Sequence, residues 1–434
     1  MTGFGHRGAC PTTLVPMRSG DGLLMRLHLA GGVLALPKAQ AIALAAQRFG
    51  NGQIDLSQRG NLQIRGLSEA SFAEIVPFLR ANDLIAAAVE NGDGAPLREI
   101  QTRVLISPLN SLSPELVALA PLAHALEQQL HLAPRQRPLS PKFSIIIEDG
   151  GPLNLAHIDA DLRFIALPGE APLKFAGYFD GVAAPVCIIP AHDLVPTALS
   201  MLDAFLASRR ADGQAPARMR EVSGHMAPLW RASHPQDWDA AQLPSPQPHD
   251  PADLIGAFRP DAFGLGLPFG RIHAQSLLQL HAAASAIQAK ALYLTPWRVL
   301  VVPLTRKEDA IALKAALSGE SFIFERRDPR LKLTACVGAP ACTSALQPTA
   351  RDAETIANAL STHWPEHSMQ LHISGCPKGC AHPKAAPFTL VAQASGYGLI
   401  LNGRATDAPQ ASFKSLESAI HGIASKLNGD APFV

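Results

Sequence analysis

"ACVGAPACTSA" at 335–345 and "SGCPKGCAHP" at 374–383 carry four of the six cysteines of this chain, as two tight pairs. Five residues separate Cys336 from Cys342, and three separate Cys376 from Cys380. Zinc ribbons and knuckles favour about two to four intervening residues with both pairs alike, so the first gap is wide. Gly338, Pro340, Gly375, Pro377 and Gly379 fill the loops. Glycine lets a backbone fold closely around a bulky inorganic core and aim its amides at the sulfurs. Four thiolates so presented suit a cubane [4Fe–4S] cluster, whose potential those hydrogen bonds tune. A structural zinc site and four unligated thiols are the alternatives. The other two cysteines are dispersed: Cys10 near the N-terminus and Cys187 in the apolar run "PVCIIP". Both are most simply free thiols, the second one buried.

Composition narrows the setting. The chain has 434 residues, 47% of them apolar and 17% charged, enough for two to four domains or subdomains with a substantial core. A net charge of +1 gives no global field for nucleic acid or an anionic membrane, so any anion site must be local. Pro, Gly and charged residues interrupt every apolar run before it reaches membrane-spanning length. The opening "MTGFGHRGACPTTLVP" has no basic region followed by an apolar stretch, so the expectation is a cytoplasmic protein. In a reducing compartment, paired cysteines point to metal or redox chemistry before a disulfide.

The surrounding sequence reads as one two-part unit written twice. Residues 20–67 run strand, turn, helix, strand, ending in "NLQIRGL", and 263–305 repeat that rhythm and end in "TPWRVLVVPL". A longer α/β stretch follows each, and "PKFSIIIEDGG" in one corresponds to "MQLHISGCPKG" in the other. Prolines in "LPSPQPHDPAD" (243–253) mark the linker.

The cysteine spacing, the wording "ACVGAPAC…SGCPKGC" and the doubled architecture together resemble the sirohaem-type sulfite and nitrite reductases. Within that superfamily the likeness extends to the precorrin-3B synthase family of aerobic cobalamin biosynthesis, through "GDGLLMR", "NGQIDLSQRGNLQIRG" and "LTPWR". The resemblance implies an α+β, internally duplicated fold. Paired ferredoxin-like half-domains (1–78 and 255–322) and two flanking α/β domains (79–242 and 323–434, the latter binding the cluster) surround a central tetrapyrrole and Fe–S site, with 243–254 as linker. In the reductases one cluster cysteine bridges to sirohaem iron, by position Cys380.

The resemblance also sorts the basic residues. Arg26, Arg103 and Lys142 stand where three of the four oxyanion-binding side chains of the reductases are expected, and Ser144 falls where the fourth, a lysine, would be. Arg59 and Gln63 match positions that hold tetrapyrrole carboxylates, for which a guanidinium is well shaped. Arg65 and Arg298, ending the two equivalent strands, are further candidates, and Lys378 lies inside the cluster loop. Each arginine taken singly is as easily a solvated surface charge. Losing one of four cations weakens the field that six-electron reduction of an anion requires, which favours the synthase.

For that family the resemblance implies precorrin-3A as substrate, with O2-dependent hydroxylation at C20 and closure of a γ-lactone. The cluster supplies electrons, a mononuclear non-haem iron is associated with oxygen activation, and NADH reduces the cluster through a separate reductase. No catalytic residue is assigned. A facial triad needs two histidines and a carboxylate; His28, His372 and His382 lie near the motifs without such a partner in sequence. "GFGHRG" (3–8) fits the dinucleotide pattern, but no strand can precede it. Two other readings remain: a sirohaem-dependent nitrite or sulfite reductase, and a non-enzymatic Fe–S electron carrier, which scarcely needs a chain of this length or a basic pocket.

Overall fold

The structure is a computed structural model that describes residues 11–85, 103–132, 139–140, 142–169, 172–234, 250–362 and 370–427. Cys10, the "GFGHRG" stretch and linker residues 243–249 lie outside the described residues, as does the side chain of Arg103. The first unit comprises β1 (Met17–Ser19), β2 (Gly22–Leu27), β3 (Val33–Ala35), α1 (Leu36–Phe49), β4 (Gln53–Leu56), β5 (Leu62–Leu67) and α2 (Glu69–Ala81). Its companion contains β6 (Arg103–Ile106), α3 (Ala120–Leu132), β7 (Ser144–Glu148), β8 (Leu162–Ala166), β9 (Lys174–Phe179), β10 (Cys187–Pro190), α4 (Leu194–Ala207) and α5 (Ser223–Ser233).

The second unit repeats the order with β11 (Gly256–Arg259), β12 (Ala262–Gly266), β13 (Arg271–His273), α6 (Ala274–Ala286), β14 (Ala291–Leu294), β15 (Val299–Pro303) and α7 (Asp309–Ala316). The last part holds β16 (Leu333–Ala335), α8 (Thr349–Ala359), β17 (Leu371–Ser374), β18 (Ala386–Gln393), β19 (Gly396–Gly403), β20 (Ala411–Phe413) and α9 (Leu416–Leu427). Topology makes the duplication plain. The companion sheets run β6-β7-β8-β9-β10 and β16-β17-β18-β19-β20, each with three parallel strands followed by two antiparallel ones.

The half-domain sheets add a feature that hydrophobic periodicity does not announce: they exchange a strand. Their orders are β1-β2-β5-β4-β13 and β11-β12-β15-β14-β3, so the third strand of each unit completes the sheet of the other. One core therefore spans both halves, with Leu27, Ile54 and Ile64 in the same apolar cluster as Leu265, Leu292 and Val302. α1 starts with Pro37 in its first turn and buries Ala39, Ile42, Ala43 and Ala46, and α6 lies against it. Alanine faces allow that close approach.

β15 explains why "VLVVP" reads as an unbroken apolar run. Leu300 and Val302 enter the shared core, while Val299 and Val301 face Ile146, Leu155 and Ile158 of the first companion domain. A strand covered on both faces loses its polar alternation. The turn leading into it is thereby fixed between three domains.

Candidate functional site

The two cysteine loops leave the same end of one sheet. β16 and β17 are parallel, and Cys336 and Cys376 follow their last residues closely. Ligand sites of parallel sheets lie outside such carboxyl ends. Cys336 N donates to Ile373 O at 3.2 Å, and Leu346 N donates to Gly375 O at 2.8 Å, tying the loops together. Gly375 is needed here for space: a Cβ would stand 2.6 Å from Ala345 Cβ and 3.3 Å from Cys336 Sγ. Its amide donates to that sulfur at 3.2 Å, and Thr349 Oγ1 lies 3.2 Å from it.

All four clustered cysteines line a single cavity of about 490 Å³. Burial pushes the Cys380 thiol up, the neighbouring Cys376, Cys336 and Cys342 push it further, and Lys378 partly offsets them. Four thiolates gathered in this way are unfavourable unless a cationic core lies among them. The donor set, the amide aimed at sulfur and the glycine clearance fit an iron–sulfur cluster held by Cys336, Cys342, Cys376 and Cys380. Among the described residues, no group of three or more His, Cys, Asp or Glu side chains gathers around a point for a single metal ion. Cys187 stands apart, fully buried, its thiol raised by burial to about 11.

The first half-domain also lines this cavity. Arg26, Arg59 and Gln63 all line it, half-buried. Arg26 and Gln63 are cross-strand neighbours on β2 and β5. With the Gln63 amide oxygen turned toward Arg26, it accepts from Nε at 3.0 Å and Nη2 at 2.9 Å. Arg59 sits in the turn Ser57–Asn61, where Gln58 Nε2 donates to Ala381 O of the cluster loop at 3.1 Å. Lys142 is exposed and is not among the residues that line this cavity. Ser144 is buried, its amide donating to Asp161 Oδ2 at 2.9 Å. Arg103 opens β6 beside Ser144.

Arg65 and Arg298 have different roles in the wall. Arg65 is buried and fully engaged, donating to both Asp21 carboxylate oxygens at 2.9 Å and to Asp55 Oδ2 at 3.2 Å. Burial works against charge at both groups, yet Asp21 lies below and Arg65 above its ordinary value because their paired hydrogen bonds outweigh it. Arg298 makes no side-chain hydrogen bond or ion pair among the described residues. Burial pushes its guanidinium down to about 10, with Asp55 pulling it back. Arg271 lines the same cavity, its Nε 3.4 Å from Asp55 Oδ1. Sequence reading missed it, since its place depends on the exchanged strand β13.

Arg298 also lines a second cavity of about 460 Å³, which shares Gln58, Arg59 and Phe269 with the first. Its outer wall includes Trp297 stacked on His157, with ring centroids 5.4 Å apart. His382 lines it too, and His372 lies behind with ring centroids 5.6 Å apart. His372 is 1% exposed, and both its ring nitrogens are buried with no hydrogen-bond partner among the described residues. Burial, with His382 and Arg298 adding to it, pushes it down to about 4, so it is neutral at pH 7. His28 is held elsewhere, by Asn61 at 3.1 Å and Glu127 at 3.3 Å. Lys378 is exposed and donates to Ser344 Oγ at 3.0 Å.

Known proteins are similar to this chain in sequence and fold. Residues 15–82 match the nitrite/sulfite reductase ferredoxin-like half domain. A precorrin-3B synthase of a Sinorhizobium species is 32% identical over 413 residues, 94% of this chain and 85% of that protein. The chloroplastic ferredoxin–nitrite reductase of Spinacia oleracea is 24% identical over 408 residues, 84% of this chain and 65% of its own length. In fold, the chain is similar to the NirA protein of Mycobacterium tuberculosis, with a TM-score of 0.64 at 18% identity, covering 86% of this chain and 71% of that one. With the synthase likeness running almost end to end, the chain belongs to the precorrin-3B synthase family, within the nitrite/sulfite reductase superfamily.

Proposed function

We propose that this chain is the iron–sulfur monooxygenase that converts precorrin-3A to precorrin-3B, hydroxylating C20 and closing the γ-lactone at the expense of O2. The observation that carries the reading is the shared cavity, lined by the four cysteines together with Arg26, Arg59 and Gln63. Precorrin-3A is a reduced tetrapyrrole fringed with carboxylates, and arginines in the cavity lining suit its rim by bidentate contact. Arg298, which makes no side-chain hydrogen bond or ion pair among the described residues and lies on the border of both cavities, is a further receptor for such a group. When bound, the cluster supplies single electrons. The remaining balance is that of a monooxygenase: one oxygen atom enters the product, and the other leaves as water with two electrons and two protons. NADH, through a separate reductase, is the source of the electrons.

A sirohaem-dependent reductase is the competing reading, supported by the nitrite reductase likeness. Ser144 weighs against it, because it stands at the position of a required cation and is buried against Asp161. The test is turnover by anaerobically purified protein supplied with precorrin-3A and a reduced donor, then exposed to air. The oxygenated lactone should form, and sulfite or nitrite reduction with reduced methyl viologen should be negligible. Sirohaem absorption bands with robust anion reduction would establish the reductase instead.

A further inference from the structure

The first half-domain grips one peptide of the cluster loop from positions 276 to 322 residues away along the chain. Ala341 precedes Cys342, and its carbonyl oxygen accepts from three donors. These are Gly20 N at 3.0 Å, Ser19 Oγ at 2.7 Å and Arg65 Nη2 at 3.2 Å. Arg65 Nη2 also donates to Ser19 Oγ at 2.9 Å, so the donors are braced against each other. The turn between β1 and β2 can approach this closely only as glycine. A Cβ on Gly20 would stand 2.3 Å from Pro340 O, and the obstacle is backbone rather than a side chain that could move.

Behind the donors lies a buried network. Arg65 holds Asp21 with two hydrogen bonds and Asp55 with one, and Arg271 on the exchanged strand approaches Asp55 from the other half. Two arginines and two carboxylates leave this network electrically neutral, so its effect on the cavity is geometric more than electrostatic. Peptide planarity carries the geometry onward: fixing the Ala341 carbonyl fixes the plane that ends at the Cα of Cys342. The same residue is held from the other side, where Cys342 N donates to Gly338 O at 2.8 Å.

We propose that Ser19, Gly20 and Arg65 form a clamp that positions Cys342 as a cluster ligand, so that the first half-domain governs how firmly the cluster is held. The proposal rests on the iron–sulfur reading of the four cysteines. Unlike the Gly375 amide that donates to Cys336, this contact crosses between domains, so its loss should loosen one ligand and leave each domain's own core intact.

The test compares Gly20→Ala, Ser19→Ala and a control, Gly319→Ala, whose added methyl would meet nothing within 4 Å. Each protein is purified anaerobically, and iron and acid-labile sulfide are counted. Bleaching of the cluster in air is then followed, and thermal unfolding of the cluster-free form checks the fold. Ser19→Ala, which removes one donor of three, should speed cluster loss about five-fold, and Gly20→Ala more than ten-fold. Gly319→Ala should match the parent, and cluster-free unfolding should not change for Ser19→Ala. Parental bleaching rates in both clamp variants would overturn the clamp while leaving the cluster reading untouched. A parent protein without iron and sulfide would remove both. If Gly20→Ala fails to fold, Ser19→Ala alone decides.

Discussion

Arg298 and Gly60 occupy the same place in two copies of one turn. In the first copy Ser57 N donates to Asn61 O and Gly60 N to Ser57 O; in the second Thr295 N donates to Val299 O and Arg298 N to Thr295 O. Both residues are left-handed, at φ 65° and 62°. Glycine adopts that conformation freely, whereas a side chain costs about 1 kcal/mol or more. Such strain concentrates where function requires it. Arg298→Gly should therefore hold or raise stability by up to about 1 kcal/mol while weakening precorrin-3A binding about ten-fold. Urea unfolding and a binding titration would check this, and lost stability with unchanged affinity would contradict it. Arg59→Ala should weaken substrate binding by about 1.5–3 kcal/mol, and Arg59→Lys should recover only part of that because lysine lacks the fork. Iron and sulfide content should survive both changes; equal affinity in all three proteins would return Arg59 to a surface role. The cysteines and Arg59 were legible in sequence because their signals are local spacings and motif wording. Arg271 was not, since nothing in "FGRIH" tells which sheet it will join.

That sheet assignment is the main element-level fact hidden from sequence. The strands, helices and two-fold repeat follow from apolar periodicity, and the equivalence of "NLQIRGL" with "VLVVP" holds in the structure as β5 and β15. A strand's partner is chosen by tertiary packing, however, and β3 and β13 are each only three residues long. Because each completes the other unit's sheet, Leu34 and Ile272 join the halves from opposite sides, at 1% and 3% exposure. Ile272→Ala should cost about 2–4 kcal/mol, and Leu34→Ala a similar amount. Both variants should still unfold in one transition by circular dichroism and fluorescence. Separate transitions for the two halves, or a loss below about 1 kcal/mol, would show that the exchanged strands are not what joins them.

Across the whole molecule, acid stability should carry the mark of His372. Its folded value near 4 lies below the ordinary 6.5, so between those values the unfolded chain binds a proton that the native protein refuses. This contribution is fully present above pH 6.5 and is lost as pH falls toward 4, amounting to up to about 3 kcal/mol. His372→Leu should flatten that part of the stability profile measured by urea unfolding between pH 7 and 4.5; profiles of equal slope would contradict the assignment. The overall architecture was readable because duplication and cysteine spacing survive in sequence, while the second cavity, lined from all four domains, was not. If the cluster and the macrocycle occupy the cavity between the cysteines and Arg59, each must sense the other. Low-temperature EPR of the reduced protein, recorded with and without saturating precorrin-3A, tests this most directly. The account predicts a [4Fe–4S] signal whose g-values or relaxation change when precorrin-3A binds. Superimposable spectra at saturation, or no cluster signal at all, would contradict it.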